Sequence, residues 1–420
     1  MTHKHYLSIL WFAIGSLAWS QPDCTGSWEG KLKASGMSLT VRFHLSQDEN
    51  NTLTATMDSP DQGALGIPVN EVQCHQKTIV LTVKVVGGEY HGQFLNTDTW
   101  EGTWKQNGME FPLKLTRMPV KTNPPTPPLF KEEECHIETE TGKVFGILQL
   151  PNTAPPYPVA LIIAGSGATD RDGNSPFIKN NSLKMLAEGL LKKGIATLRY
   201  DKRGIGKSFN QELDESKLRF EHLVQDVVKW SQFLKSDQRL RETTVIGHSE
   251  GSLIGMLASQ QNTVAKFVSI AGTGRTADLI LKEQLTSQPD SIQKEAFSIL
   301  DQLAKGKLVP QIPENMNALF RPSVQPYLIS WFQYDPKAEI AKLNKPILII
   351  QGTTDIQVPV RDSEILSQAN TACEYRLIEG MNHIMKQAST DRQENLRTYS
   401  QPDLPLMAGL VDGIAAFILK

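Results

Sequence analysis

An α/β domain preceded by a small all-β domain is the fold that the sequence predicts. Residues 22 to about 118 alternate apolar and polar side chains with period two. From Cys135 onward, short apolar runs alternate with amphipathic helical patterns instead, which is the signature of a sheet covered by helices. Between the two, Pro119, Pro124, Pro125, Pro127 and Pro128 exclude helix and central strand and predict a stiff linker over residues 119–134. A length of 420 residues also favours two domains over one.

The first residues read as an export signal. His3, Lys4 and His5 precede an apolar stretch from Leu7 to Trp19 that is too short to span a bilayer. Ala18-Trp19-Ser20 then fits a cleavage site, so residues 1–20 are expected to be removed and Gln21 to begin the mature chain. The expected location is periplasmic or extracellular. Export permits disulfides, and Cys24 and Cys74 share the 21–118 domain and could pair, although small buried thiols are the commoner reading. A hydrophobic share of 40%, a charged share of 21% and a net charge of −2 describe an ordinary globular chain. No basic surplus points to nucleic acid.

In the first domain, Ser38 to Leu45 alternates cleanly, and Leu53, Ala55 and Met57 continue the pattern, as do Ile79, Leu81, Val83 and Val85. Trp-Glu-Gly occurs at Trp28 and again at Trp100, near the two ends of the domain. These tryptophans are expected to plug the core of a barrel or sandwich; a sugar-stacking platform of Trp28, Trp100 and Trp104 is the alternative. A packing or cap-supporting role is weighed for this domain against binding of a carbohydrate ester, polymer or surface.

In the second domain, residues 135–420, the pattern predicts a hairpin over 135–140 and 144–150. Strands follow at 159–164, 195–200, around Val245 ahead of the Gly247–Gly251 turn, and at 265–270, 347–350 and 374–379. Helices are expected over 182–193, with its stop at Gly194, over 218–235, after residue 250, near 363–369 and at the C-terminus. Residues 274–342 break the alternation. Their helical pattern and large apolar groups, among them Leu279, Phe320, Leu328 and Trp331, suit a cap over the sheet.

The stretch Thr243 to Met256 carries the chemistry. A β-branched run leads into Gly247-His248-Ser249-Glu250-Gly251 and then into helix formers, which is a nucleophile elbow with Ser249 at its apex. A serine hydroxyl needs a base, and the base needs an anion to orient it. Only His383 follows Ser249 among the histidines, in Glu379-Gly380-Met381-Asn382-His383. Asp355 stands just beyond an apolar strand, where ligand-facing groups of open α/β sheets collect, and is the expected acid. Asp335, before Pro336, is the second choice. One oxyanion donor is expected from the Glu250 N–H. The other should come from Gly165-Ser166-Gly167-Ala168, with Ser166 preferred over Gly167. No closely spaced His, Cys or carboxylate cluster suggests a metal, and nothing calls for a cofactor.

From about Val144 to Lys420 these motifs resemble α/β-hydrolase-fold serine esterases and the related serine aminopeptidase-like group. Asp201-Lys202-Arg203-Gly204-Ile205-Gly206-Lys207-Ser208 looks like a structural turn of that family, so Asp201 is not the expected acid. Gly165 to Asn174 is similar to the oxyanion loop of bacterial carboxylesterases, with Ala164 where many relatives carry histidine. Gln351-Gly352 ahead of Asp355 and the Gly380–His383 loop match as well. Residues 22–118 more distantly resemble a β domain that precedes such hydrolases in some bacterial proteins. The resemblance implies a mostly parallel eight-stranded sheet and ester hydrolysis through an acyl-enzyme. Thioesterase or aminopeptidase activity on the same triad is the alternative, the latter needing cap anions such as Glu283, Asp290, Glu295, Asp301 or Glu314. A binding protein that kept the fold without catalysis is a third reading. Oligomeric state, acyl length and alcohol are left open.

Overall fold

The computed structural model describes residues 23–420 except 35–36, 49–51, 63, 76, 107, 120–129, 177 and 211–212. The expected signal segment and most of the expected linker lie outside the described residues. The chain divides into two compact units, Met1–Asn123 and Pro124–Lys420.

The first unit is one antiparallel sheet of nine strands: β1 (Gly26–Ala34), β2 (Met37–Gln47), β3 (Leu53–Ser59), β4 (Ala64–Val69), β5 (Glu71–His75), β6 (Thr78–Val83), β7 (Gly88–Asn96), β8 (Thr99–Gln106) and β9 (Met109–Arg117). Their order is β4-β3-β2-β1-β9-β8-β7-β6-β5, so the two outermost strands are consecutive in sequence and joined through Asn70 alone. A one-residue link brings the end of β4 to the start of β5, which curls the sheet round on itself.

Trp28 and Trp100 stack inside this curl with ring centroids 3.7 Å apart, and Trp104 is buried beside Phe43. That burial overturns the stacking platform considered for these tryptophans: no ring face is left for a sugar. Val85 departs from the expected alternation and is 73% exposed, because the strand ends at Val83 and a turn over Lys84–Val86 rotates it outward. Cys24 and Cys74 are joined as a disulfide, the less favoured of the two sequence readings.

The second unit contains an eight-stranded sheet: β10 (Phe130–Thr139), β11 (Gly142–Pro151), β12 (Tyr157–Ile163), β13 (Ala196–Tyr200), β14 (Leu240–His248), β15 (Lys266–Ile270), β16 (Ile347–Gly352) and β17 (Glu374–Ile378). The order is β10-β11-β13-β12-β14-β15-β16-β17; β10 and β11 are antiparallel and the six later strands run parallel. The strand β10 starts at Phe130, so residues 130–134 belong to the sheet and not to the linker. Their glutamates masked the strand; at an edge, charged side chains reach solvent, and Glu133 pairs with Arg239 at 2.8 Å.

Helices cover both faces: α1 (Ser182–Leu191), α2 (Phe220–Ser236) and α3 (Glu250–Ala258). Between β15 and β16 the expected cap is α4 (Ala277–Gln284), α5 (Asp290–Ala304), α6 (Asn317–Phe320), α7 (Gln325–Phe332) and α8 (Pro336–Ala341). The chain closes with α9 (Val360–Ala369), α10 (Arg392–Arg397) and α11 (Leu410–Leu419). Strand β12 shows why its sequence is apolar throughout. Val159, Leu161 and Ile163 enter the core beneath α2, α3 and the cap, whereas Ala160 and Ile162 enter the opposite core with α1 and α11. Helix α1 ends at Leu191, two residues before the expected end, and the chain turns away through Gly194, whose φ of 79° suits glycine and lets Ile195 N–H return to the Leu190 carbonyl.

Candidate active site

The sheet aims its parallel strands at one edge, and Ser249 stands there between β14 and α3 with φ 55° and ψ −120°. A non-glycine residue holds that conformation only when its surroundings enforce it. They do so by close approach. A Cβ on Gly247 would lie 2.2 Å from the Gly251 carbonyl oxygen, and one on Gly251 would lie 2.6 Å from that of Ile163. The Ser249 N–H donates to the Ile270 carbonyl at 2.9 Å, fixing the apex to the neighbouring strand.

Asp355 follows β16, and its carboxylate is buried. His383 Nδ1 donates to its Oδ2 at 2.8 Å, and the N–H groups of Gln357 and Val358 donate to Oδ1 at 2.8 and 2.9 Å. Burial works to raise the carboxyl pKa. The facing imidazole and these donors outweigh it and hold the group below the usual aspartate value. Asp335, the second choice for this role, instead caps α8 by accepting the Lys337 N–H at 3.0 Å. Asp201 accepts the N–H groups of Arg171 and Lys207, both at 2.9 Å, and so ties two loops together.

The structure therefore brings His383 and Asp355 into direct contact and sets Ser249 on the same edge. Two features escaped sequence reading. Asn382 donates to Asn395 and Thr398, while Asn395 donates to the Thr354 carbonyl, so the α10 segment locks the histidine loop to the aspartate loop. His248, next to the serine, is buried, and its Nε2–H donates to the His383 carbonyl at 2.8 Å. Among the described residues neither Ser249 Oγ nor His383 Nε2 has a hydrogen-bond partner, and the two are not bonded to each other; Ser249 faces the cavity described next, whereas the His383 side chain is almost wholly buried.

Ser166, Gly167, Ser249 and Glu250 line one cavity of about 450 Å³ between the sheet edge and the cap. Ala277 and Ile280 of α4, with Leu328 and Trp331 of α7, form much of its apolar wall. Two buried charges meet on the floor. Glu250, just after the serine, accepts from Lys202 Nζ at 3.0 Å and from Tyr327 Oη at 2.6 Å; Lys202 also donates to the Gly165 carbonyl at 2.5 Å. None of Glu283, Asp290, Glu295, Asp301 and Glu314 lines the cavity. Glu283 is engaged by Arg275 and Arg361, and Asp301 by Lys282.

The mostly parallel sheet, its helical covering and the strand–turn–helix at Ser249 are the architecture of the α/β-hydrolase fold. The family described as serine aminopeptidase, S33, matches residues 180–336. Esterase EstD of Thermotoga maritima is 27% identical over 267 residues, covering 62% of this chain and 61% of its own length. A monoglyceride lipase homolog of Monkeypox virus is 25% identical over 254 residues, covering 54% of this chain and 82% of its own. Among solved structures, Est1E of Butyrivibrio proteoclasticus with ferulic acid bound covers 68% of this chain and 100% of its own, at 19% identity and a TM-score of 0.49. The sequence similarities fall among an esterase, a lipase homolog and the serine aminopeptidase family, the groups that the motifs resemble.

Burial drives the His248 pKa down to about 4 from 6.5. The unfolded chain takes up this proton near pH 6.5 and the folded chain only near pH 4. The unfolded state therefore binds more protons in that window, and stability falls as pH is lowered through it, by roughly 3 kcal/mol at most. Denaturant midpoints measured from pH 7 to pH 4 are expected to drop less steeply in His248→Gln than in the parent; parallel curves would contradict this assignment.

Proposed function

We propose that this chain hydrolyses carboxylic esters through a Ser249–His383–Asp355 triad and an acyl-enzyme. The observation that carries the reading is the buried 2.8 Å pair of His383 and Asp355, set at the sheet edge that presents a strained, unpartnered serine. Ser249 Oγ attacks the ester carbonyl while His383 Nε2 takes its proton, and Asp355 holds the ring and stabilises the imidazolium. The N–H groups of Glu250, at the start of α3, and of Ser166 receive the oxyanion, with Gly167 as the neighbouring donor. Collapse of the tetrahedral adduct passes the proton from His383 to the departing alcohol. Water then repeats the sequence on the acyl-serine, releasing the acid and restoring the hydroxyl.

The cavity supports a substrate with an apolar acyl group. Ile205, Phe209, Ile280, Leu319, Leu328 and Trp331 face it, and its volume of about 450 Å³ exceeds what an acetyl group needs. An aminopeptidase would need a free anion there to hold the amino terminus. The acidic side chains lining the cavity, Glu215 and Glu250, are instead paired with Arg321 and with Lys202. Ser249→Ala is expected to lower hydrolysis of p-nitrophenyl butyrate by at least about 10⁴-fold with the fold intact. Across a graded ester series kcat/KM should rise from acetate to medium chains; undiminished turnover in the variant would remove the triad, and a preference for acetate would remove the assigned pocket.

The export expected from residues 1–20 is part of this proposal, supported by the apolar stretch and its small-residue boundary. N-terminal sequencing of the protein recovered from its native host should begin at Gln21; a chain beginning at Met1 would contradict it.

A further inference from the structure

We propose that Lys202 is a positioning residue for the oxyanion hole: it sets the direction of the Ser166 N–H and neutralises the carboxylate that follows the nucleophile. The inference rests on the ester-hydrolase reading above. Lys202 lies in the turn after β13, and its ammonium reaches across to the loop after β12 and the start of α3. Its contact on that loop is the carbonyl oxygen of Gly165. This carbonyl belongs to the peptide unit whose nitrogen is that of Ser166. A trans peptide is planar, with its C=O and N–H pointing in opposite senses. A donor that holds the Gly165 oxygen in the floor therefore turns the Ser166 N–H the other way, towards the cavity that this residue lines with Ser249.

The second contact explains why the donor must be a cation. The Glu250 N–H is the proposed partner donor of the hole, yet its own carboxylate is buried in the cavity floor. An uncompensated negative charge there would repel the oxyanion that forms on attack, and low surrounding polarity would make that repulsion strong. Lys202 cancels it at 3.0 Å, with both side chains almost wholly buried. Tyr327 of α7 donates to the other Glu250 oxygen at 2.6 Å, so the cap completes the same network. Lys202 is thereby tied to both proposed donors, with its ammonium engaged by the Gly165 carbonyl and the Glu250 carboxylate.

The test compares the parent, Ser249→Ala, Lys202→Met and the double variant Lys202→Met with Glu250→Gln on p-nitrophenyl butyrate. The double variant leaves no buried charge unpaired and keeps an acceptor for Tyr327. In whichever of the two Lys202 variants retains the parent's cooperative thermal transition, kcat should fall about 10²-fold with KM within threefold. Affinity for butylboronic acid, which forms an anionic tetrahedral adduct on the serine, should fall by a similar factor. A role confined to stability would leave kcat and boronate affinity of the folded variant near parental values. Parental kcat in a folded variant would overturn the proposal, as would a failure of both variants to fold, because the pair would then be structural. If the parent itself hydrolyses no ester, the reading of the preceding subsection falls and this one with it. If only the Lys202 variants match an active parent, this one falls alone.

Discussion

The site depends on one strained residue. Ser249 keeps a positive φ because the chain on either side of it has no room to relax: Gly247 meets Gly251, and Gly251 meets the end of β12. Both approaches are backbone to backbone, so no rotamer change can relieve an added side chain. What the strain provides is placement. The hydroxyl stands clear of the strand, and the first N–H groups of α3 are left without intrahelical partners beside it.

Placement at the apex would be of little use without a sheet that delivers the other groups to the same edge. Parallel strands do so because their carboxyl ends all lie on one side, and here β12, β14, β16 and β17 are each followed by a segment that carries part of the site. The sheet can be rigid because both faces are packed. Alternate residues of β12 enter two separate cores, and β13 and β15 are buried along their whole length. Polar groups near the edge are matched in pairs: Asp355 with His383, Lys202 with Glu250 and Arg203 with Asp226. A buried charge without its partner is costly, so these pairs fix the loops in one arrangement as much as they stabilise them.

Much of this was legible in the sequence. The elbow could be read because its glycines are local requirements. Asp355 and His383 could be read because an apolar run ending in a polar loop marks the carboxyl end of a strand. Partners brought together only by tertiary folding could not be read. Nothing near Lys202 signals that it faces Gly165 and Glu250, and nothing near Tyr327 signals that the cap reaches the elbow. Nothing in the sequence gives His248 a role, although its ring holds the His383 main chain. In the first unit, alternation identified strands but failed at Val85, where a turn outweighed pattern. Glutamates concealed the start of β10, since an edge strand need not be apolar. The tryptophans were legible as core, and their burial settles against a surface platform.

In the proposed chemistry Ser249 is a nucleophile activated through His383. Intact-protein and peptide mass spectrometry after treatment with an alkyl fluorophosphonate tests it most directly. One phosphonyl group per chain, mapped to the peptide bearing Ser249 and lost in a folded His383→Ala variant, is the result this account requires. A chain that stays unlabelled, or carries the label on another residue, would contradict it.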